Sequence, residues 1–176
     1  MNDPRTDPPH AGDETAVLLG FLDYHRDTLR MKTDGLDAAQ LAQTLPPSDM
    51  TLGGMLKHLG YVEDWWFAQV LRGADSLPPY DDVDWAADED WDWHSAAEDT
   101  PEELRETWER CVARSRELTE ETLAGDGLDA TSVLTSHRKG DHFSLRWILV
   151  HMIEEYSRHN GHADLIRQSI DGQTGE

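Results

Sequence analysis

Four polar side chains near the end of the chain, His151, Glu155, His159 and His162, follow one another at spacings of four, four and three residues. On an α-helix, at about 100° per residue, they fall at about 0°, 40°, 80° and 20°, inside one quarter of the circumference. The apolar residues of the same segment, Leu145, Ile148, Leu149, Met152, Tyr156, Ala163, Ile166 and Ile170, centre near about 100° on that scale. The polar quarter therefore overlaps the edge of the buried face, and His159 is aimed closest to the core. A buried carboxylate without a partner costs several kcal/mol, so Glu155 requires a cation, a proton or several donors. A divalent metal meets that need, because neutral imidazole nitrogens and an anionic oxygen are its ordinary ligands and a Glu and a His four apart on a helix point the same way.

The third ligand must come from another element. His58 is the best placed, since it borders an apolar stripe beside Met55 and Val62. Three protein ligands leave coordination positions open to water or substrate, which is the arrangement of a catalytic site. His151 and His162 could support a ligand from behind or replace one. Glu63, one turn beyond Leu59 on the core side, could support the site or pair with an arginine, and Arg146 is a candidate mate. Two plainer readings stand beside this one. A core histidine is often satisfied by a carboxylate or a backbone carbonyl, and Arg158, Asn160 and His162 could form a polar network. His10, His25, His94, His137 and His142 read as surface or loop residues, and Cys111 as a small core residue.

Four helices are needed to hold these residues. Val17, Leu18, Phe21, Leu22, His25 and Leu29 recur at spacings of three and four, predicting a first helix from residue 13 to about Thr33-Asp34-Gly35. A loop with at most one helical turn follows, closed by Pro46-Pro47. Leu52, Met55, Leu56, Leu59, Val62, Trp66, Phe67 and Val70 give a second helix from about Thr51 to a stop at Arg72-Gly73. Thr100-Pro101-Glu102-Glu103 combines an N-cap, a proline at the first helical position and a glutamate that closes a capping box. The third helix runs from there to Gly125-Asp126-Gly127. The fourth spans Ser144 to about Ile170, with Asp171-Gly172 as its end. Between the third and fourth, Lys139-Gly140 marks a turn and permits a hairpin. The result is an all-α, antiparallel four-helix bundle over residues 13–176, preceded by a Pro- and Asp-rich tail, residues 1–12, expected to fray.

Composition narrows the partners. Fifteen Lys and Arg against 36 Asp and Glu leave a net charge of −21, which repels nucleic acid and anionic membranes. Apolar runs such as Ile148-Leu149-Val150 are far shorter than the ~18 residues of a membrane span. With no positive region followed by an apolar one at the start, and a single cysteine, the expectation is a cytoplasmic protein. The acid concentrates over residues 81–106, together with Trp85, Trp91 and Trp93. Three tryptophans in one loop predict that it folds back over the body, and a connection this long is commonly a lid or binding element.

Two strings are distinctive: Thr51-Leu52-Gly53-Gly54-Met55-Leu56-Lys57-His58-Leu59 with Glu63-Asp64-Trp65-Trp66-Phe67, and Ser144-Leu145-Arg146-Trp147 through His151-Met152-Ile153-Glu154-Glu155-Tyr156-Ser157-Arg158-His159-Asn160-Gly161-His162-Ala163-Asp164. They resemble the DinB-like superfamily, and its mini-circle-protein branch most, over residues 13–176. The resemblance implies a four-helix bundle, commonly a homodimer, with a divalent metal held by one histidine of the second helix and two residues four apart on the last. Many members carry histidine at both of those last positions; here Glu155 and His159 stand there. The mycothiol-dependent maleylpyruvate isomerases are similar in using a His, Glu, His set. On the resemblance, His58, Glu155 and His159 are the metal ligands, with Zn2+ the expected ion and Ni2+ an alternative in purified protein.

The resemblance further implies a low-molecular-weight thiol such as mycothiol or bacillithiol as cosubstrate, and transfer to, or isomerisation of, a small electrophile. A metal serves that chemistry by lowering the thiol pKa, and the Trp-rich loop could close over an apolar electrophile. A non-enzymatic metal-binding stress or interaction protein needs the same three ligands. A site closed by a fourth ligand, His151 or His162, would favour that alternative. An acidic interaction protein is a third reading, opposed by the tryptophans among the acids.

Overall fold

Helix boundaries in the computed structural model, which describes residues 5–136 and 139–175, follow the capping chemistry of the chain. The expectations for residues 1–4, His137 and Glu176 lie outside the described residues. Asp13 accepts a hydrogen bond from the Ala16 amide and opens α1, Glu14–Thr33. A single turn, α2, Ala38–Leu41, closes its own capping box between Asp37 and Gln40. Thr51 caps α3, Leu52–Glu63, through the Gly54 amide. The predicted Thr100 capping box starts α5, Pro101–Ala124, and Ser144 starts α6, Leu145–Asp171, which ends at Gly172 with φ +81°. That left-handed residue is one only glycine adopts at no steric cost.

The second predicted helix departs from its expected form. After Glu63 it widens into a π-helix, Asp64–Leu71. The change falls where two consecutive buried carboxylates face different neighbours: Glu63 receives Arg26 and Tyr156, while Asp64 receives Arg114, Ser76 and the Leu77 amide. Hydrophobic period alone carries no signal of such widening. The hairpin permitted by Lys139-Gly140 is present as β1, Thr131–Thr135, paired antiparallel with β2, His142–Ser144, across a bulge. The fold is thus mostly helical with a small two-stranded sheet, and among the described residues no helix is long and apolar enough to cross a membrane.

Directions of the long helices follow from which residues meet. Arg146 reaches Glu14, Asn160 donates to the His25 carbonyl and Arg167 to that of Lys32, so α1 and α6 run parallel. Ser115 donates to the Glu63 carbonyl and Arg72 to Thr122, so the α3 and π segment runs parallel to α5. The two pairs oppose each other, with Glu63 level with Tyr156 and Trp66 level with His151. Parallel neighbours need a long crossover. Residues 72–100 supply it, and they are the acidic connector.

One buried polar chain ties all four long helices together. The Trp108 indole donates to the Tyr156 hydroxyl (2.9 Å), that hydroxyl donates to Glu63 (2.8 Å), and Glu63 accepts from Arg26 at 2.7 Å on each oxygen. Around it pack Leu22, Leu29, Leu56, Leu59, Phe67, Leu149 and Met152, all fully buried, each contributing roughly 1.5–3 kcal/mol by leaving water. The arginine mate of Glu63 is accordingly Arg26 and not Arg146. The antiparallel run of α3 against α6 puts Arg146 far from Glu63, where it pairs with Glu14 and Asp129.

The connector folds back as its tryptophans require. Short helical turns at Tyr80–Asp82, α4 (Trp91–His94) and Ser95–Glu98 shape it. Two glycines of α3 receive it: a Cβ at Gly54 would lie 2.6 Å from the Trp93 ring, and one at Gly60 would lie 2.7 Å from the Tyr80 hydroxyl. Tyr80 uses that slot to donate to the Lys57 carbonyl at 2.7 Å. At the other end of the chain, Pro8 and Pro9 of the proline-rich tail lie against Gly20 of α1, and Arg5 donates to Thr28.

Candidate metal centre

α3 brings His58, and α6 brings Glu155 and His159, to one point between the two helices. One donor atom from each lies within 4.8 Å of the others. Glu155 Oε2 is 3.7 Å from His159 Nε2, and the His58 and His159 rings meet edge to face at 4.9 Å. All three side chains are partly buried: 21% exposed for His58, 26% for Glu155 and 13% for His159. His159 is therefore the most enclosed, as its angle on the helix predicted.

His159 is held in the neutral form that can act as a ligand. Burial, with the neighbouring His58, His162 and Arg158 adding to it, pushes the His159 imidazole down to about 4. The ring is neutral at physiological pH and has a lone pair to offer. Nε2 is the nitrogen that faces Glu155, while Nδ1 is buried with no hydrogen-bond partner among the described residues, a cost that a water would remove. Two imidazoles and one carboxylate within that spacing match the donor set of zinc and similar divalent ions. The residues present fit a metal.

The remaining candidates separate. His151 lies one turn before Glu155, with Nε2 3.5 Å from Glu155 Oε1 and Nδ1 3.5 Å from Glu154. It belongs to a second, more open group with the two glutamates. Trp147 stacks on its ring and Trp66 meets it edge-on, with Phe143 beside both. His162 is exposed, its ring 6.3 Å from that of His159. Glu63 is sealed in the core by Arg26 and Tyr156. Arg158 pairs with Glu154 and Asn160 with the His25 carbonyl, so the polar network considered for them with His162 does not form. His25 is not a simple surface residue: it is half-buried on α1 and shares a hydrogen bond with Ser157 of α6. His94 stays on the surface, paired with Asp88, and His10 and His142 are exposed.

Asp92 escaped the sequence reading. Its side chain is 4% exposed and its Oδ2 lies 2.7 Å from His58 Nδ1. The available signal was its place between Trp91 and Trp93, since an acid flanked by two large aromatics in a segment that folds back is carried into the interior. Trp93 itself stacks on His58 at 4.8 Å and lies 5.7 Å from His159. A hollow of about 370 Å3, lined by Asp49, Met50, Thr51, Asp90, Trp93 and His94, adjoins it.

A mostly helical fold with this sequence pattern defines a DinB-like protein. More particularly, the chain belongs to the mycothiol-S-transferase family, whose profile matches residues 17–172. Among solved structures, a conserved protein of locus from Enterococcus faecalis is similar in fold, with a TM-score of 0.61 at 19% identity, covering 93% of this chain and 100% of that one. No curated protein matches the chain.

Proposed function

We propose that this protein is a metal-dependent S-transferase or isomerase that uses a low-molecular-weight thiol of the mycothiol type on a small electrophile. His58, Glu155 and His159 would hold the metal, zinc before nickel, on a helical bundle of the DinB type. The observation that carries the reading is the convergence of three donors, from α3 and α6, with no fourth His, Cys, Asp or Glu among the described residues inside the same 4.8 Å grouping. A centre with three protein ligands keeps room for a cosubstrate. When bound there, the metal would supply a lowered thiol pKa and so a thiolate near neutral pH.

The chain's own side chains have definable parts. His159 stays neutral because it is buried, and Glu155 supplies the one negative charge of the donor set. Trp93 covers His58 and excludes water from that side. Trp66, Trp147 and Phe143 line the approach along α6 through His151, a surface suited to an apolar electrophile. Cys111 takes no part as nucleophile: it is fully buried and burial pushes its thiol up to about 12, so the reacting sulfur comes from the cosubstrate. The reading includes a homodimer in the cytoplasm; the exposed Phe21 and Val150 on α1 and α6 support the dimer, and the cytoplasm rests on the composition of the chain.

The test is elemental analysis of untagged, chelator-washed protein, then zinc titration with and without mycothiol. About one zinc per chain, with mycothiol binding that vanishes in His58→Ala, is the expected result. Zinc without thiol binding would favour the non-enzymatic metal-binding alternative, and absence of metal uptake would overturn the site.

A further inference from the structure

The acidic connector contributes to this centre a side chain outside the ligand set. Asp92 sits on α4, 34 residues after His58, with its carboxylate almost wholly buried and 2.7 Å from His58 Nδ1. The nearby Lys57 is engaged by Asp99 and by the face of Trp91, so His58 is the side chain to which Asp92 Oδ2 is bonded. An ionised carboxylate only accepts hydrogen bonds, so the imidazole nitrogen facing it carries the proton. In the neutral ring the lone pair is then on Nε2, the nitrogen left to meet Glu155 and His159. Ring rotation is blocked by Trp93, stacked at 4.8 Å and 27° and seated in the slot that Gly54 leaves open.

We propose that Asp92 is a positioning residue: through Nδ1 it fixes the tautomer and the orientation of His58, so that Nε2 is presented to the centre. The connector is then a working part of the site and not only its cover. A histidine ligand whose second nitrogen donates to a carboxylate is held in register and made more basic, and loss of such a partner typically weakens metal binding about 10–100-fold. The inference rests on the metal reading for its consequence, but the state of the His58 ring is a property of the metal-free chain.

The experiment therefore has two readouts on the full-length protein. Nitrogen-15 NMR of the metal-free protein with labelled histidine reports which His58 nitrogen is protonated. Zinc competition titration, and the visible bands of the cobalt-substituted protein, report the centre. The wild type is expected to show a proton on Nδ1 and a bare Nε2. Asp92→Asn, whose amide can donate to Nδ1, is expected to move the proton to Nε2, weaken zinc at least about ten-fold and shift the cobalt bands. Asp88→Asn, which alters an exposed pair with His94 on the same connector, is expected to change none of these.

Equal zinc affinity and cobalt bands in wild type and Asp92→Asn would overturn the positioning role while leaving the metal centre standing. A wild-type His58 protonated on Nε2 would overturn it even if Asp92→Asn fails to fold. Absence of zinc uptake by the wild type would refute the metal reading, and the tautomer measurement would still decide whether Asp92 sets the ring.

Discussion

The Glu63 carboxylate and the Arg26 guanidinium face each other through two 2.7 Å hydrogen bonds, with side-chain exposures of 0% and 3%. The pair joins α1 to α3 at the level where Tyr156 and Trp108 bring in α6 and α5. Removing one partner leaves the other charged and buried, at a cost of about 3–5 kcal/mol. Glu63→Ala and Arg26→Ala should each lower the unfolding free energy by that amount, read as a lower denaturant midpoint at unchanged slope. Because Glu63 is sealed from the candidate centre, zinc stoichiometry in whatever fraction stays folded should be unchanged.

Ligand assignment is checked by subtraction. Glu155→Ala and His159→Ala should abolish tight zinc uptake, whereas His142→Ala, on an exposed strand position, should retain it. Equal metal content in all three would end the assignment.

The acid response of the metal-free protein should carry the mark of His159. Its pKa is held at about 4 in the fold against about 6.5 in an unfolded chain. Between these values the unfolded state binds the proton and the folded state does not, so stability falls as pH drops from about 6.5 to about 4. Below that window both states are protonated and this contribution stops changing. His159→Gln should show a shallower loss across the same interval in thermal midpoints measured against pH.

Two glycine substitutions should move stability in opposite directions. Gly161→Ala meets nothing within 4 Å on α6 and should stabilise by up to about 1 kcal/mol through helix propensity. Gly54→Ala gains the same propensity but places a methyl 2.6 Å from the Trp93 ring. An overpacking cost of about 1–3 kcal/mol outweighs the gain. Displacement of Trp93 should also change tryptophan fluorescence and weaken zinc binding, since that ring covers His58.

Cys111 should be silent. With no exposure and a thiol pushed up to about 12 by burial, it should react with a thiol reagent only after unfolding. Cys111→Ala should keep full transferase activity if the sulfur chemistry belongs to the cosubstrate.

Local chemistry decided much of this molecule in advance. Asp13, Thr51, Thr100 and Ser144 announce the starts of α1, α3, α5 and α6 through side chains that accept from nearby amides, and those bonds need only a few residues to form. The angular clustering of Glu155 and His159 is likewise a property of one helix. His58 could be proposed from the edge of its own apolar stripe, since facing the core is the condition for reaching another helix.

Tertiary packing decided the rest. That α1 runs parallel to α6, and α3 to α5, depends on where the connector crosses, and no periodicity records a crossover. Glu63 pairs with Arg26 and not Arg146 because helix direction sets which side chains are level. The π-helical turn at Asp64 belongs to two carboxylates with different neighbours. Asp92 reads in the chain as one acid among many, and only the folding of Trp91 and Trp93 onto α3 carries its carboxylate to His58, because a contact across 34 residues exists only once both segments are packed.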